Sequence, residues 1–191
     1  MSKICYIGLL LIFTLQMAAN FFTPIWSPYT EMLGGGVQSA GIAIFIFTWG
    51  TGIFSILTPL VNNKLRISDH YFLVAGIFID MLAVISYFFI HHIHYFYIAQ
   101  LVLALGAGIQ IPAFYVLYEK NITDKNRGIA WGSLDSIFYF SVGLASLISA
   151  FLFHHFGIYG VFSCMLLFTL FALVLSFFYI RDFVKNMNPF L

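Results

Sequence analysis

Two aspartates lie inside long apolar stretches of this sequence, where ionisable side chains are rare. Asp80 falls within residues 71–90 and Asp135 within residues 129–153. A charged side chain at the centre of a bilayer costs about 2.5 to 3.5 kcal/mol or more, so such a residue usually faces a cavity or a partner and marks an ion or proton route. The sequence therefore predicts Asp135 and Asp80 as proton or ion sites, with a structural hydrogen bond as the alternative for each.

Uncharged polar residues form a second group of candidates. Gln16, Asn20, Thr23 and Ser27 follow one another at spacings of four, three and four, which places them on one face of a helix. Gln110 lies in a later apolar segment. A polar stripe on a spanning helix faces protein or water. It predicts either hydrogen bonds between helices or the wall of a substrate pathway to which Gln16, Asn20 and Gln110 contribute.

The run LALGAGIQIP, residues 103–112, combines small residues with a proline inside an apolar segment. Gly106 and Gly108 let a neighbouring helix approach the backbone closely. Pro112 has no backbone N–H, so the carbonyl of Gly108 loses its helical partner and we expect the helix to bend. In hydrocarbon a neighbour, a side chain such as that of Gln110, or water must satisfy that carbonyl. The run predicts either a helix that lines a passage or a tightly packed helix.

Small residues recur on two further segments. Gly52 belongs to a row of small and hydroxyl residues in residues 38–61, and Gly128 and Gly132 form a GxxxG spacing at the start of the fifth segment. Such rows are typical of closely packed helices. We expect part of this surface to face another helix bundle.

Composition decides the class of protein. The 191-residue chain is 62% hydrophobic and only 8% charged, and its mean hydropathy is +0.98, which excludes an ordinary water-soluble globule. Six apolar segments have about the 17 to 25 residues that a membrane-spanning helix needs. They are residues 4–26, 38–61, 71–90, 95–118, 129–153 and 158–180. We expect an all-α integral membrane protein whose residues 1–191 form one domain of six transmembrane helices.

Charge placement predicts the orientation. All eight basic residues fall on one side of this topology, so both termini are expected to be cytoplasmic. The opposite loops carry Glu31 and five histidines without cysteine or carboxylate clusters, so we expect neither a metal site nor a cofactor. The balanced net charge of +1 gives no reason to expect nucleic acid as a partner. No nucleophile or phosphate-binding motif is present, and an enzyme is not expected.

The loop TPLVNNKLR, residues 58–66, resembles the loop of the form G-x-x-x-D-R-x-G-R that joins the second and third helices of major facilitator superfamily (MFS) transporters. Its position, its length and Arg66 match that pattern. The sequence departs from it at Thr58, Asn62, Asn63 and Leu65. Residues 106–112 are similar to the fourth helix of the family, although Val102 and Leu105 replace its arginine and glutamine. The pair Arg127-Gly128 resembles the start of the fifth helix, and residues 154–162 resemble the start of the sixth.

The resemblance implies the amino-terminal half of such a transporter, built from two inverted three-helix repeats. It implies secondary active transport of a small solute by alternating access, with Asn62, Arg66 and Arg127 in gating loops. By the family pattern the fifth helix borders the partner half, which favours Asp135 over Asp80.

The expected partners are the lipid bilayer, the solute and a second half, either a second copy of the chain or a separately encoded unit. The expected location is the bacterial cytoplasmic (inner) membrane. The alternative is a truncated or degenerate half that does not transport and acts at most as a membrane interaction partner.

Overall fold

The computed structural model describes residues 3–187 and the side chains of residues 3–184, and within these residues the regular structure is entirely helical. The elements are α1 Lys3–Asn20, a 3-10 turn Thr23–Ile25, α2 Trp26–Met32, α3 Val37–Leu65, α4 Asp69–Tyr87, α5 Ile93–Glu119, a 3-10 turn Asp124–Asn126 and α6 Arg127–Met187. Five helical stretches of the described chain are long and apolar enough to cross a membrane. The expected all-α membrane class is confirmed.

The long helix α6 contains a break at Gly157, where the backbone has φ 65° and ψ −165°. A positive φ strongly favours glycine because this residue has no Cβ. Two helices, residues 127–156 and 158–187, meet at this kink. The break falls between the predicted segments 129–153 and 158–180.

The first predicted helix, residues 4–26, is divided differently in the structure. α1 ends at Asn20, the turn Thr23–Ile25 follows, and α2 continues the helical path to Met32. Pro24 lies in the first residues of the turn, where a backbone N–H has no helical partner, so its missing N–H removes no hydrogen bond. Pro24 therefore lies where the helical path between α1 and α2 is interrupted, and the path continues beyond it to Met32.

Helix α3 extends to Leu65, beyond the predicted limit at Val61. Arg66 caps it in the left-handed region, with φ 55°, and its N–H donates to the carbonyl of Asn62 at 2.7 Å. Hydropathy measures what lipid tolerates, whereas a helix continues as long as its hydrogen bonds do. The polar residues Asn62 and Asn63 therefore end the apolar run but not the helix.

Aromatic side chains fill one of the two buried clusters in the described part of the chain. Phe22, which follows α1, lies at the centre of this cluster. Ring centroids 4.9 to 6.1 Å from that of Phe22 belong to Trp26, Tyr29, Tyr87, Phe96 and Phe162. The second cluster joins α1, α4, α5 and both parts of α6 around Leu11 and Tyr118. In this cluster the Tyr118 hydroxyl donates to the carbonyl of Ala130 at 3.0 Å.

Glycines on α5 and glycines on two outward faces have opposite surroundings. A Cβ on Gly106 would lie 2.8 Å from the carbonyl oxygen of Gly76, and one on Gly108 would lie 3.1 Å from the backbone N of Ser55. By contrast, several glycines of α3 and of residues 127–156 are exposed, and a Cβ added to any of them would meet no atom within 4 Å. These are Gly41, Gly52, Gly128, Gly132 and Gly143, and we refer to their two helix faces as the open faces.

The contrast between Gly108 and Gly52 predicts opposite effects of the same substitution. Gly108→Ala would drive a methyl group into Phe54 and the α3 backbone, and overpacking costs about 1 to 3 kcal/mol. Gly52→Ala meets no atom and should gain about 0.5 to 1 kcal/mol of helix stability. Thermal unfolding of the detergent-solubilised protein, followed by circular dichroism, measures both. A Gly108→Ala variant as stable as the Gly52→Ala variant would contradict the close crossing of α3 and α5.

Candidate functional site

Asp80 and Gln110 form a polar pair inside the contact between α4 and α5. The amide Nε2 of Gln110 donates to Oδ2 of Asp80, and Gln110 is only 5% exposed. The helices approach closely here because Gly76 faces Gln110 and Gly106 faces Asp80. We call the contact of these four residues the α4/α5 seam. Among the described residues, Oδ1 of Asp80 and Oε1 of Gln110 are buried and have no hydrogen-bond partner.

The polar stripe predicted on the first helix is divided in the structure, because α1 ends at Asn20, Thr23 lies in the 3-10 turn and Ser27 lies in α2. Asn20 Nδ2 donates to the carbonyl of Gln16 at 2.8 Å and lies 3.2 Å from the Gln16 side-chain oxygen. Thr23 Oγ1 donates to Asn20 Oδ1 at 3.3 Å. Gln16 and Asn20 are each partly exposed. Within the described chain no hydrogen bond links them to Gln110, whose amide is directed at Asp80 instead.

The carbonyl that Pro112 frees is satisfied by a hydroxyl from α3. Thr58 Oγ1 lies 3.1 Å from the carbonyl oxygen of Gly108 and 2.8 Å from that of Phe54. Thr58 is buried. A freed carbonyl at membrane depth requires a donor from its surroundings, and a neighbouring helix supplies it here. The helix α5 itself continues through Pro112 to Glu119.

The ends of α3, α4 and α5 are joined by a charged and polar contact. Asn62 Nδ2 donates to Oδ1 of Asp69 at 2.6 Å, and Lys120 Nζ lies 3.3 Å from Oδ2 of the same carboxylate. Arg66 is exposed beside this contact. Arg127 pairs instead with Asp124, three residues earlier, at 3.0 Å. Of the three predicted gating residues, Asn62 therefore has a side-chain hydrogen bond to another helix in the described structure.

A cavity of about 200 Å³ opens beside these contacts, between α3, α4 and the second half of α5. One part of its wall is polar and includes Thr58, Asn62 and Asp69. The opposite part is apolar and includes Pro112 and Ala113. Such a mixed lining suits a small amphipathic molecule or water.

Asp135, which the family pattern favoured over Asp80 as a proton or ion site, lies on an open face. It is exposed and follows Gly128 and Gly132 at helical spacing. Its neighbour Ser136 donates to the carbonyl of Gly132 at 2.8 Å. The two aspartates therefore occupy opposite environments, because Asp80 is held in a seam and Asp135 faces outward.

Sequence reasoning missed Asp69, Thr58 and Gly76 as contributors to these contacts. Asp69 follows Ser68 at the start of α4, a position where acidic residues are favoured, and this was the available signal. Gly76 lies four residues before Asp80, so the pair marks one helix face. Thr58 carried no signal of its own, because its role depends on how α3 crosses α5.

Two of the three comparisons with known proteins give a match. The model of the Major Facilitator Superfamily matches residues 8–189. Among solved structures, the in meso crystal structure of the POT family transporter PepTSo superposes with a TM-score of 0.78 at 16% sequence identity, over 95% of this chain and 38% of that one. The chain thus spans well under half the length of this structural relative. The comparison with curated proteins gives no match.

The Thr58 contact predicts a specific loss on substitution. Thr58→Val keeps the shape but leaves the Gly108 carbonyl without a donor, which costs about 1 to 3 kcal/mol for a buried group. Thr48→Val is the matched control, because exposed Thr48 bonds its own helix at 2.8 Å in the same way. Thermal unfolding in detergent should show a lower midpoint for the Thr58 variant alone.

A double substitution tests the cause of that loss. Pro112→Ala restores the N–H that serves the Gly108 carbonyl, so Thr58→Val should cost less in this background. Equal losses with and without Pro112 would show that Thr58 does not compensate for the proline.

Proposed function

The chain belongs to the major facilitator superfamily, and we propose that it acts as one six-helix half of a secondary active transporter that moves a small solute by alternating access. The family consists of membrane transporters, which supports the transport class for this chain. The observation that carries the half-unit proposal is the pair of open faces. Five glycines there have no neighbour, whereas those of α5 are tightly packed.

We propose six membrane crossings with both termini in the cytoplasm. The kink at Gly157 divides the 61 residues of α6 into two helices, each long enough for one crossing. The basic residues at the α3 to α4 and α5 to α6 connections then share one side with Lys3 and Arg181. This arrangement supports the bacterial cytoplasmic membrane as the location.

The proposed second half is another copy of the same chain. The two halves of this fold are related by an axis along the membrane normal and point the same way, so a second copy inserted in the same orientation can replace a different half. The open faces offer small residues at helical spacing, which permit close helix contacts between copies. A separately encoded half is the competing source and is distinguished by the mass measurement below.

The proposed solute route lies between the two units. Gln16 and Asn20 keep partial exposure and can donate or accept hydrogen bonds there, while Asp135 on its open face handles the solute or a proton. Gln110 can join this route only when α4 and α5 separate, because Asp80 and the surrounding glycines enclose it. Gln16 and Asn20 of α1 therefore line the proposed route at all times, whereas Gln110 of α5 lines it only when α4 and α5 have separated.

The contact at Asp69 supports a transport-competent half over a degenerate one. The loop departs from the family pattern at Asn62, yet this amide bonds Asp69, and Lys120 binds the same carboxylate. Three helix ends are thus joined by a complete set of partners. The position that departs from the family pattern therefore still joins the loop to α4, and through Asp69 to α5.

The dimer proposal predicts a protein mass of twice 21.7 kDa after correction for detergent. Light scattering coupled to size exclusion measures this mass. Gly132→Trp should convert the dimer to a monomer, because the bulky ring would obstruct an open face at a position where an added Cβ meets no atom of the chain. Tyr139→Trp is the control, since it changes an exposed aromatic residue of the same helix only slightly. A wild-type monomer at every concentration would reject the self-assembled form.

The role of Asp135 predicts a functional loss without a structural one. Proteoliposomes containing the pH-sensitive dye pyranine should acidify or alkalinise when a transported solute is added, and Asp135→Asn should reduce this response to that of empty vesicles. Ser136→Ala is the control, because its hydroxyl bonds only its own helix. Unchanged solute-dependent flux in the Asp135 variant would remove this residue from the mechanism.

A further inference from the structure

The carboxyl group of Asp80 lacks the partners that an ionised carboxylate requires. Gln110 gives it one hydrogen bond, and its Oδ1 atom is buried without a donor. In the described part of the chain, no Lys, Arg or His forms an ion pair with it. Burying an unpaired carboxylate in an apolar environment is far more costly than burying the neutral acid. The site is therefore built for a carboxyl group that carries a proton.

The surroundings of Oδ1 lead to the same conclusion. Gly106 lies against this atom and, at the same crossing, a Cβ on Gly106 would be 2.8 Å from the carbonyl oxygen of Gly76. A bare carboxylate gains nothing from a neighbouring carbonyl, because both are acceptors. A protonated acid can donate to an acceptor of this kind, as hydroxyl side chains do to the carbonyl four residues earlier on a helix. Gly76 stands in that relation to Asp80.

The titratable and charged groups near the seam leave Asp80 without a counter-charge. α4 packs against α5 and α6. On α4 itself, Tyr87 lies two turns farther along and binds Gln100 of α5. The other Asp, Glu, Lys, Arg and His residues with described side chains on these three elements form no ion pair with Asp80. They are Asp69 and His70 on α4, His94 and Glu119 on α5, and Arg127, Asp135, His154, His155, Arg181 and Asp182 on α6.

We propose that Asp80 and Gln110 form a proton-binding site in the α4/α5 seam, with the proton held on the carboxyl group and Gln110 as its positioning residue. The proposal deepens the transport function, since it supplies the site of the coupling ion. The proton moves between bulk water and the carboxyl oxygen. Its loss leaves an unpaired charge in the seam, so release requires α4 and α5 to separate and water to enter. Protonation thereby favours the closed seam.

Infrared spectroscopy of the reconstituted protein reads the carboxyl group directly. The wild type at neutral pH should show the C=O stretching band of a protonated carboxylic acid, and Asp80→Asn should abolish it. Asp135→Asn is the matched control, because it removes the second intramembrane aspartate in the same way and should leave the Asp80 band in place. A band that persists in the Asp80 variant, or no band in the wild type, would overturn the proposal.

A second variant keeps the test decisive if Asp80→Asn does not fold. Gln110→Leu replaces the amide with an apolar side chain of similar size. The carboxyl group of Asp80 then loses its hydrogen bond from Gln110, so its band should shift in frequency. A band at the wild-type frequency in Gln110→Leu would exclude Asp80 as its source. Circular dichroism and elution volume establish that each variant used is folded.

Flux measurements separate this proposal from the transport function. In the pyranine vesicles, Asp80→Asn should abolish the pH change that an added solute produces in the wild type. Solute flux without an acid band would overturn the proton site alone. An acid band without flux from any added solute would retain the site and overturn the proposed function.

Discussion

Close backbone contact between α5 and its neighbours α3 and α4 is the constraint on which the rest of the structure depends. Because lipid tails are themselves apolar, helices gain no hydrophobic free energy by associating in a membrane. Packing and hydrogen bonds must therefore hold them together. Gly106 against Gly76 and Gly108 against Phe54 provide the necessary approach. Every polar group carried into these contacts then needs a partner from the opposite helix. Thr58 serves the carbonyl that Pro112 frees, and the Gln110 amide serves Asp80.

Much of this framework could be predicted from the sequence because it depends on local chemistry. The glycines and proline of residues 103–112 indicated both the close approach and the freed carbonyl, and the membrane class followed from composition. The family resemblance seen in loop spacing is confirmed by the match over residues 8–189. Helix limits were less accurate, as at Leu65 of α3, because apolar character ends at the membrane surface while helical hydrogen bonding continues.

The partners within the site could not be predicted, because they depend on the register between helices distant in sequence. The bond from Asn20 to Gln16 spans one helical turn and was visible as a spacing. The pairing of Asp80 with Gln110 bridges 30 residues, and no local pattern encodes it. Gln110 was one expected donor for the Gly108 carbonyl. The Gln110 amide donates to Asp80 instead, and the Thr58 hydroxyl donates to the Gly108 carbonyl.

Proton binding at Asp80 can affect the solute route through α5, which carries Gln110 and contacts both α4 and α3. Separation from α4 requires α5 either to move toward α3 or to bend. Movement toward α3 is blocked, since Gly108 already lies against Phe54 with no room for a methyl group. Bending costs less at Pro112, where one backbone hydrogen bond is absent in any case. The cavity beside Pro112 provides space for that bend, so the coupling motion is expected to centre on this residue.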